Sequence, residues 1–540
     1  MLIGTFIYRI IQVIAMEKKE EQKNTLVPLG NQRQEPIVLD SLSAKFMKQS
    51  KFFPMEIRED TLRIVMADPD DFYTINAMEL ACGLNIEVTR GNENDILEAI
   101  ENTYGAGAQS VEKIIEEMDK NMPEYITESE EDIDHLRDLA SEAPVIKLVN
   151  RIITKAVELK ASDIHFEPFE KDFKIRYRID GLLHDAEFPP KRLQAAIISR
   201  VKIMAKMNIA ERRLPQDGRI KLKISDKEID FRISTIPTLF GESLVIRILD
   251  RESLVLDFIK LGFPEKILAQ FSKLLLQPYG IILVTGPTGS GKTTTLYTAL
   301  SKLNSSDKKI ITVEDPVEYQ LKGINQIQIN PRIGLTFATG LRSIVRQDPD
   351  IILIGEIRDK ETAEIATQSA LTGHLVFSTL HTNDAVGAIT RMVEMGVENY
   401  LLTSSLIGVL AQRLVRKICP HCKKIYNPEK SLLKEMEMNE AKFTGIKFFA
   451  GSGCEKCRFT GYIGRTAIIE YLAIDEDIKR AIMIKSNSDK IKQLALKKGM
   501  VTLRESGWEK IKTGVTTISE VLKTTLEEQP NPMSNSDNSS

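Results

Sequence analysis

The sequence predicts an α/β protein whose largest domain is a mostly parallel sheet covered by helices. Between residues 258 and 526, short β-branched runs alternate with helical segments, and the runs are GIILVTG, KKIITVED, DIILIGE and HLVFSTL. Such alternation is typical of parallel strands joined by crossover helices. The first run leads into the glycine-rich stretch GPTGSGKTT and then into an apolar helical segment, which is the strand–loop–helix order of a phosphate-binding site.

The size and composition indicate a globular protein of two to four domains. The chain has 540 residues, of which 42% are hydrophobic and 28% charged, a profile typical of globular proteins. Its net charge is −3, so no overall positive field directs it to nucleic acid or to an anionic membrane.

Residues 1–35 are an extension ahead of the first predicted domain. Their apolar stretch, MLIGTFIYRIIQVIA, is shorter than the roughly 20 residues that span a bilayer. It also lacks the basic start and the small-residue cleavage site of a secretory signal. Two interpretations stay open: a short interfacial helix, and translation that begins at Met16. We expect a cytoplasmic protein that reaches the membrane through partners.

Three segments precede the large domain. Residues 36–105 form a small α+β module in which LRIVMADP and NIEVTR are predicted strands and TINAMELACG and ENDILEAIENTYG are predicted helices. No catalytic cluster is visible there, so we interpret it as an interaction module. Residues 106–142 are acidic and predict a mobile linker with room for one helix. After the large domain, residues 527–540 predict a disordered tail.

Residues 143–250 predict a helix followed by antiparallel strands. Alternating polar and apolar residues in FKIRYRIDGLLHDAEF and RIKLKISDKEIDFRISTIP indicate strands joined by tight turns such as Asp180-Gly181. These strands and their loops carry exposed arginines: Arg176, Arg178, Arg213, Arg219 and Arg232. Two interpretations stay open, solvated or paired surface charges, and arginine fingers that reach a γ-phosphate from another domain or subunit.

The glycine-rich stretch matches the GxxxxGK[ST] spacing of a P-loop. Its glycines let backbone amides surround anionic oxygens, and the helix that follows adds positive potential at its N-terminus. Lys292 neutralises phosphate charge, and the Thr293 hydroxyl is suited to hold Mg²⁺. The predicted nucleotide-binding residues are Gly286, Pro287, Thr288, Gly289, Ser290, Gly291, Lys292, Thr293 and Thr294.

Two acidic groups follow later strands, at the sheet edge where open α/β sheets bind ligands. VEDPVEY contains Glu314, Asp315 and Glu318, and IILIGEIRD contains Glu356 and Asp359. Most P-loop enzymes end such a strand in aspartate, whereas Gly355 holds that place here. An ATPase needs one acid near magnesium and one for the attacking water, and we expect Glu314 and Glu356 to be this pair. The alternative for each acid is a helix cap or a solvated charge.

Two histidines bracket the strand in LTGHLVFSTLHTNDA. His374 precedes it and His381 follows it. A single histidine is usually structural, but a pair around another strand of this sheet favours a γ-phosphate sensor.

Four of the five cysteines form two CxxC pairs separated by about thirty residues. Four thiolates in this arrangement suit a closed tetrahedral Zn²⁺ site that folds an insertion without a core of its own. His421 is an alternative ligand. We predict an inserted zinc module at residues 415–470 whose metal ligands are Cys419, Cys422, Cys454 and Cys457.

Together these motifs resemble the secretion ATPases of type II secretion and type IV pili. GPTGSGKTT, VEDPVEY, IILIGEIRD and LTGHLVFSTLHTND resemble that family's Walker A, Asp box, Walker B and His box, and SDIHFEP and RLPQDGRI resemble its arginine-bearing domain. The likeness covers residues 36–526. It implies a RecA-like P-loop ATPase domain preceded by a PAS-like α+β domain. The four cysteines resemble those of the type II secretion and pilus extension ATPases.

The resemblance implies an ATP- and Mg²⁺-dependent homo-hexamer that also binds Zn²⁺ and lies on the cytoplasmic face of the inner membrane. Its implied partners are the cytoplasmic domain of a membrane-anchored platform protein, a polytopic platform protein and, indirectly, pseudopilins. In this resemblance Lys292, Thr293 and Glu356 serve phosphate and magnesium, Glu314 completes the acidic pair, and His381 senses γ-phosphate. The candidate arginine fingers are Arg213, Arg219 and Arg232.

We therefore expect an ATPase that drives pseudopilus assembly for type II secretion. The near alternative is a type IV pilus extension ATPase. A nucleic-acid-translocating RecA-like ATPase is a more distant one, disfavoured by the near-zero net charge, by the lack of a basic aromatic groove and by the four cysteines. A nucleotide-gated scaffold without turnover is a further alternative, and a measurement of ATP hydrolysis tests it.

Overall fold

The computed structural model describes residues 44–104, 133–250 and 256–525, apart from positions 59, 187–188, 225–226, 437–442 and 444. The extension predicted at 1–35, the tail predicted at 527–540 and most of the linker predicted at 106–142 lie outside these ranges. The chain divides into two compact units with the boundary between Ile248 and Leu249, and each unit is described by itself.

The N-terminal module is a three-stranded sheet with three helices. Its elements are α1 (Ala44–Ser50), β1 (Phe52–Arg58), β2 (Thr61–Met66), α2 (Phe72–Cys82), β3 (Asn85–Arg90) and α3 (Glu93–Tyr104). β2 pairs antiparallel with β1 and parallel with β3. Phe52, Leu62, Ile64 and Ile96 are buried in its core. The two strands and two helices predicted here are present, and α1 and β1 add to them.

The arginine-bearing part of the first unit is a six-stranded sheet with helices. Its elements are α4 (Ile133–Ser141), α5 (Ala143–Glu158), β4 (Asp163–Pro168), β5 (Phe173–Ile179), β6 (Leu182–Asp185), α6 (Gln194–Met204), β7 (Gln216–Ile224), β8 (Lys227–Thr238) and β9 (Gly241–Asp250). The strand order is β6-β5-β4-β9-β8-β7. Asp180 and Gly181 both have positive φ, 49° and 87°, and form the predicted tight turn between β5 and β6.

Helix α4 lies inside the segment predicted as a linker. Its Leu136, Leu139 and Ala140 are buried, so the last part of that segment is packed structure. The sequence left room for one helix in this segment, and α4 is a helix there; that it is packed was not predicted.

The second unit contains the remaining elements. Up to the cysteines these are α7 (Phe258–Leu261), α8 (Glu265–Leu275), β10 (Gly280–Thr285), α9 (Lys292–Leu303), β11 (Ile310–Glu314), β12 (Asn325–Gln328), α10 (Phe337–Val345), β13 (Ile351–Ile354), α11 (Lys360–Leu371), β14 (Leu375–Leu380), α12 (Ala385–Glu394), α13 (Asn399–Ser405) and β15 (Leu406–Ile418). After them come β16 (Lys423–Tyr426), α14 (Lys430–Glu435), β17 (Phe448–Gly451), β18 (Tyr462–Ala473), α15 (Glu476–Met483), α16 (Ser488–Lys497), α17 (Leu503–Lys512) and α18 (Ile518–Thr525).

The seven strands of the main sheet have the order β12-β11-β13-β14-β10-β15-β18. The neighbouring pairs from β12 to β15 are parallel, and β18 is antiparallel to β15. Alternate residues of β10 serve two cores, because Ile281 and Leu283 pack in one cluster while Ile282 and Val284 pack in another. A sheet buried on both faces explains the continuous apolar runs. The predicted mostly parallel α/β fold is confirmed.

The cysteine module occupies residues 419–461, between β15 and β18. It contains the two-stranded β16–β17 sheet and packs Phe443 and Phe448 on Trp508, with ring centroids 5.3 and 6.1 Å apart. The predicted bounds, 415–470, take in the ends of both long strands. Across the ranges that the structure describes, no helix has both the length and the apolar character that a membrane span requires.

Candidate functional site

The phosphate loop lies between the carboxyl end of β10 and the N-terminus of α9. Every residue of β10 is buried, which fixes the point from which the loop departs. Gly289 and Gly291 have φ of 78° and 86°, a backbone conformation that glycine adopts without steric cost. The loop therefore curls back so that α9 begins at Lys292, as phosphate-binding loops require.

Lys292 is folded into this loop. Its ammonium donates to the carbonyl oxygens of Gly286, at 2.7 Å, and of Pro287, at 3.1 Å. Burial lowers the pKa of Lys292 to about 8; the carboxylates of Glu356 and Glu318 partly offset this, while Arg413 adds to it. A buried cation held by neutral carbonyls is suited to exchange these contacts for phosphate oxygens.

Glu356 and His381 meet at the edge of the sheet where the parallel strands end. Glu356 follows β13 by two residues, and His381 directly follows β14. The Nε2 atom of His381 lies 3.4 Å from a carboxylate oxygen of Glu356, and Arg358 forms an ion pair with the other oxygen. Burial and the charge of Lys292 lower the pKa of His381 despite the opposing effect of Glu356. The imidazole is therefore mainly neutral at pH 7.

Glu314 is the last residue of β11 and is enclosed by hydrogen-bond donors. One carboxylate oxygen accepts from the Tyr297 hydroxyl at 2.5 Å. The other accepts from the Thr312 hydroxyl at 2.6 Å and the Gln326 amide at 3.1 Å. Burial and the neighbouring Glu314 raise the pKa of Tyr297, so the phenol stays a donor. Only 4% of Glu314 is exposed, compared with 16% of the Glu356 side chain.

Two other polar residues singled out from the sequence have structural roles. Asp359 caps α11 by accepting from the backbone N–H of Thr362 at 2.8 Å. His374 lies at the amino end of β14, where its Nδ1 is 2.7 Å from the carbonyl oxygen of Ser369. The structure thus separates the two histidines by the full length of a strand, and only His381 is near the phosphate loop.

Three side chains at this edge were not predicted as site residues. Arg358 pairs with Glu356, and that hydrogen bond raises its pKa. Gln412 and Arg413, in the middle of β15, contact the phosphate loop and the segment after His381 respectively. The available sequence signal was a polar pair within the apolar run LIGVLAQRLV.

The loop has a shape and donor set that fit a nucleotide phosphate and its magnesium ion. A Cβ atom built at Gly286 would lie 2.5 Å from the Gln412 carbonyl oxygen and 2.6 Å from the Ser290 hydroxyl. The Ser290 hydroxyl is buried and has no hydrogen-bond partner among the residues that the structure describes. Such an orphan donor is expected where an anion binds. Thr293, partly buried in the first turn of α9, and Glu356 are the side chains suited to hold Mg²⁺.

The candidate arginine fingers lie in the other unit. Arg219 on β7 forms a bidentate pair with Asp230, with its Nε 2.7 and 2.9 Å from the two carboxylate oxygens. This hydrogen bonding raises the pKa of Arg219. Arg232 on β8 is directly opposite Arg219 in the strand register. Arg213 lies in the loop before β7, its side chain 90% exposed.

Arg176 and Arg178 are paired on the same sheet. Arg176 donates to both carboxylate oxygens of Glu167, at 2.5 and 2.7 Å. Arg178 lies 3.9 Å from a carboxylate oxygen of Asp163 and donates to the carbonyl oxygen of Gly181 at 3.0 Å. The surface-pair interpretation thus applies to these two residues.

The four cysteines converge as a tetrahedral metal site requires. The Sγ–Sγ distances are 3.8 Å for Cys419–Cys454, 3.7 Å for Cys422–Cys457 and 3.7 Å for Cys454–Cys457. Zinc–sulfur bonds of about 2.3 Å in tetrahedral geometry place the sulfurs about 3.8 Å apart. A disulfide needs about 2.05 Å, so none of these pairs is a disulfide, and the convergence of all four sulfurs within 4.8 Å of one another fits Zn²⁺.

Backbone donors support thiolate at one of these positions. Burial acts to raise the pKa of Cys457, but N–H groups of Cys454 and Gly461 donate to its sulfur at 3.2 and 3.3 Å and lower the pKa to about 6. Burial raises the pKa of Cys422 to about 12. A metal ion is the group that would bring all four thiols to the thiolate form.

Comparison with known proteins accounts for this combination of features. The family model for type II/IV secretion system protein matches residues 138–523, more than half of the chain, and the MshEN domain model matches residues 25–110. Type II secretion system protein E of Xanthomonas campestris pv. campestris is 55% identical over 487 residues, covering 90% of this chain and 85% of that protein. Type IV pilus assembly ATPase PilB of Myxococcus xanthus is 46% identical over 493 residues, covering 91% and 87%.

A solved structure supports the fold. The X-ray structure of the Legionella pneumophila ATPase DotB matches with a TM-score of 0.52 at 20% identity, covering 69% of this chain and 93% of that one. The family-model match and the two relatives agree with the motif resemblance that the sequence predicted. The chain is therefore a P-loop ATPase of the type II/IV secretion system protein family.

Proposed function

We propose that this protein hydrolyses ATP to drive pseudopilus assembly and protein export by type II secretion. One observation carries the proposal. Lys292, Glu356 and His381 meet at one sheet edge, in a chain 55% identical over 90% of its length to a protein named type II secretion system protein E.

The side chains at this edge have complementary roles in the proposed reaction. Lys292 and the loop amides bind the β- and γ-phosphates. His381 senses the γ-phosphate, and its 3.4 Å contact with Glu356 couples the two side chains. When bound, Mg²⁺ would neutralise phosphate charge, held by Thr293 and Glu356. Glu356 is the more accessible acid, so we assign it to the metal side of the site.

Glu314 supplies the second acid. Its three donors hold the carboxylate in one orientation, which suits an acid that must meet a water molecule at a fixed angle. An ionised carboxylate accepts about four hydrogen bonds, so these three donors leave Glu314 one acceptor position for that water.

The assembly proposed for this ATPase is a homo-hexamer on the inner face of the inner membrane. Arg213, Arg219 and Arg232 would act on the phosphate of another subunit, and Zn²⁺ would hold Cys419, Cys422, Cys454 and Cys457. The proposed partners are the cytoplasmic domain of a membrane-anchored platform protein and a polytopic platform protein, which together pass the motion to pseudopilins.

A second candidate function is the extension of type IV pili. It is favoured by the 46% identity to a PilB protein over 91% of this chain. The lower identity makes it the weaker candidate.

Co-purification separates these two functions. The tagged full-length chain is isolated from its native host, and the bound proteins are identified by mass spectrometry. The proposal expects the type II platform proteins. Recovery of the pilus platform proteins alone would overturn it in favour of pilus extension.

A further inference from the structure

Strand β15 places two polar side chains inside the sheet next to the phosphate loop. Gln412 is 2% exposed and Arg413 is 8% exposed, and the neighbouring residues of the strand are apolar. Burying an amide and a guanidinium costs free energy unless their hydrogen-bonding groups are satisfied. Their contacts therefore reveal what this part of β15 does.

The Gln412 side chain joins the two ends of the loop–helix junction. Its oxygen accepts from the Thr295 hydroxyl at 2.7 Å, and its nitrogen donates to the Ser290 carbonyl oxygen at 2.8 Å. Ser290 belongs to the loop, and Thr295 lies in the first turn of α9. One amide from a strand more than a hundred residues later thus spans the segment that contains Lys292.

Two glycines of the loop lie so close to Gln412 that neither position has room for a side chain. A Cβ atom at Gly286 would lie 2.5 Å from the Gln412 carbonyl oxygen, and one at Gly291 would lie 2.8 Å from the Gln412 side-chain nitrogen. Both distances are too short for a real Cβ contact. The glycines of the loop are therefore required by close approach to β15 as well as by backbone conformation.

Arg413 extends the same support to the segment after β14. It donates to the Gln412 carbonyl oxygen at 3.2 Å and to the Asn383 carbonyl oxygen at 2.8 Å. Asn383 is two residues after His381. Adjacent residues of β15 thus contact the phosphate loop and the segment that follows His381.

We propose that Gln412 is a positioning residue for nucleotide binding, holding the phosphate loop in its binding conformation. The loop binds phosphate through backbone amides, which are effective only when they already point at the anion. Without Gln412, the Ser290 carbonyl and the Thr295 hydroxyl lose their partners, and the loop gains freedom that ATP binding must remove. Affinity for nucleotide then falls although no phosphate contact has been deleted.

The test is the Gln412→Met variant, which keeps the length of the side chain and removes both hydrogen bonds. We expect its Kd for a fluorescent ATP analogue with Mg²⁺ to rise about tenfold or more, the effect of losing one to two buried hydrogen bonds. Leu410→Met is the matched control, since it is a volume-conserving change on the same buried strand. We expect this control to keep the wild-type Kd.

A double-mutant cycle separates positioning from general destabilisation. Thr295→Val removes only the hydroxyl that Gln412 contacts, and we expect it to raise the Kd severalfold. In the Gln412→Met background the same change should add little, because the shared hydrogen bond is already gone. If Gln412→Met fails to fold, Thr295→Val alone decides. Wild-type affinity in Thr295→Val and in any folded Gln412→Met, or an equal loss in Leu410→Met, would overturn the proposal.

Discussion

Two acidic residues that look equivalent in the sequence have different surroundings in the structure. Glu314 is enclosed by the Tyr297 and Thr312 hydroxyls and the Gln326 amide. Glu356 contacts a histidine and an arginine at a more open position. Removing either charge while keeping shape therefore tests different parts of the proposed reaction.

We predict that Glu356→Gln and Glu314→Gln each bind ATP and lose turnover by about 10²- to 10⁴-fold, the usual contribution of a positioned acid or base. Binding persists because Lys292 and the loop amides are unchanged. A phosphate-release assay gives turnover, and a fluorescent nucleotide gives Kd. Asp359→Asn is the matched control, since this residue caps α11 through its side chain. Unchanged turnover in both Gln variants would refute the acidic pair.

The pKa of Lys292, about 8 because of burial, predicts that nucleotide binding depends on pH. A phosphate anion next to this ammonium favours its charged form, so the pKa rises when ATP binds. Binding therefore takes up a proton above pH 8, and affinity falls as the pH rises from 7 to 9. Calorimetry at pH 8.5 in buffers of different ionisation enthalpy should show the uptake in wild type and not in Lys292→Met. A wild-type enthalpy that is the same in all buffers would contradict this prediction.

Some site residues can be predicted from a short stretch of sequence, and others only from contacts between separate elements. Lys292 and Thr293 follow from a contiguous motif, and Glu356 and His381 follow from the rule that parallel strands end at one edge. The roles of Gln412 and Tyr297 could not be predicted, because each contacts a site residue on a different element: Gln412 contacts Ser290, and Tyr297 contacts Glu314. The sequence could not rank His374 against His381 by position alone, because they lie at the two ends of one strand and only the end with His381 lies beside Lys292.

At the scale of elements, the predicted strands were those with a glycine or a charge at each end. β15 was missed because helix α13 continues into it without a break, so LLTSSLIGVLAQRLV reads as one apolar run. β12 was missed because its sequence, NQIQ, is a polar edge strand. Sheet order also depends on tertiary packing, which sequence periodicity does not encode.

We predict that the cysteine module, which lies between the end of β15 and the start of β18, depends on a metal ion for its folding. We expect wild type to bind about one Zn²⁺ per chain, and Cys454→Ser with Cys457→Ser to lose the metal and much of the soluble, folded protein. Elemental analysis and the yield of soluble protein are the measurements. Cys82→Ser is the matched control, because Cys82 is far in sequence from the cluster and is not part of it. A metal-free, fully active preparation would contradict the assignment.

For the molecule as a whole, the balance of charge predicts how the ATPase responds to nucleic acid. A net charge of −3 gives DNA no general attraction, so we expect neither single- nor double-stranded DNA to change ATP turnover at physiological salt. Turnover is compared with and without DNA over a range of salt concentrations. Strong stimulation that weakens with salt would favour the nucleic-acid-translocating alternative.

The central claim is tested most directly in the native host. The chromosomal copy is replaced by the Glu356→Gln variant, and exported enzymes in the medium and pili on the cell surface are measured at equal protein levels. We predict that export falls to the level of a strain that lacks the protein, while surface pili remain. Loss of the pili with export intact would contradict the account.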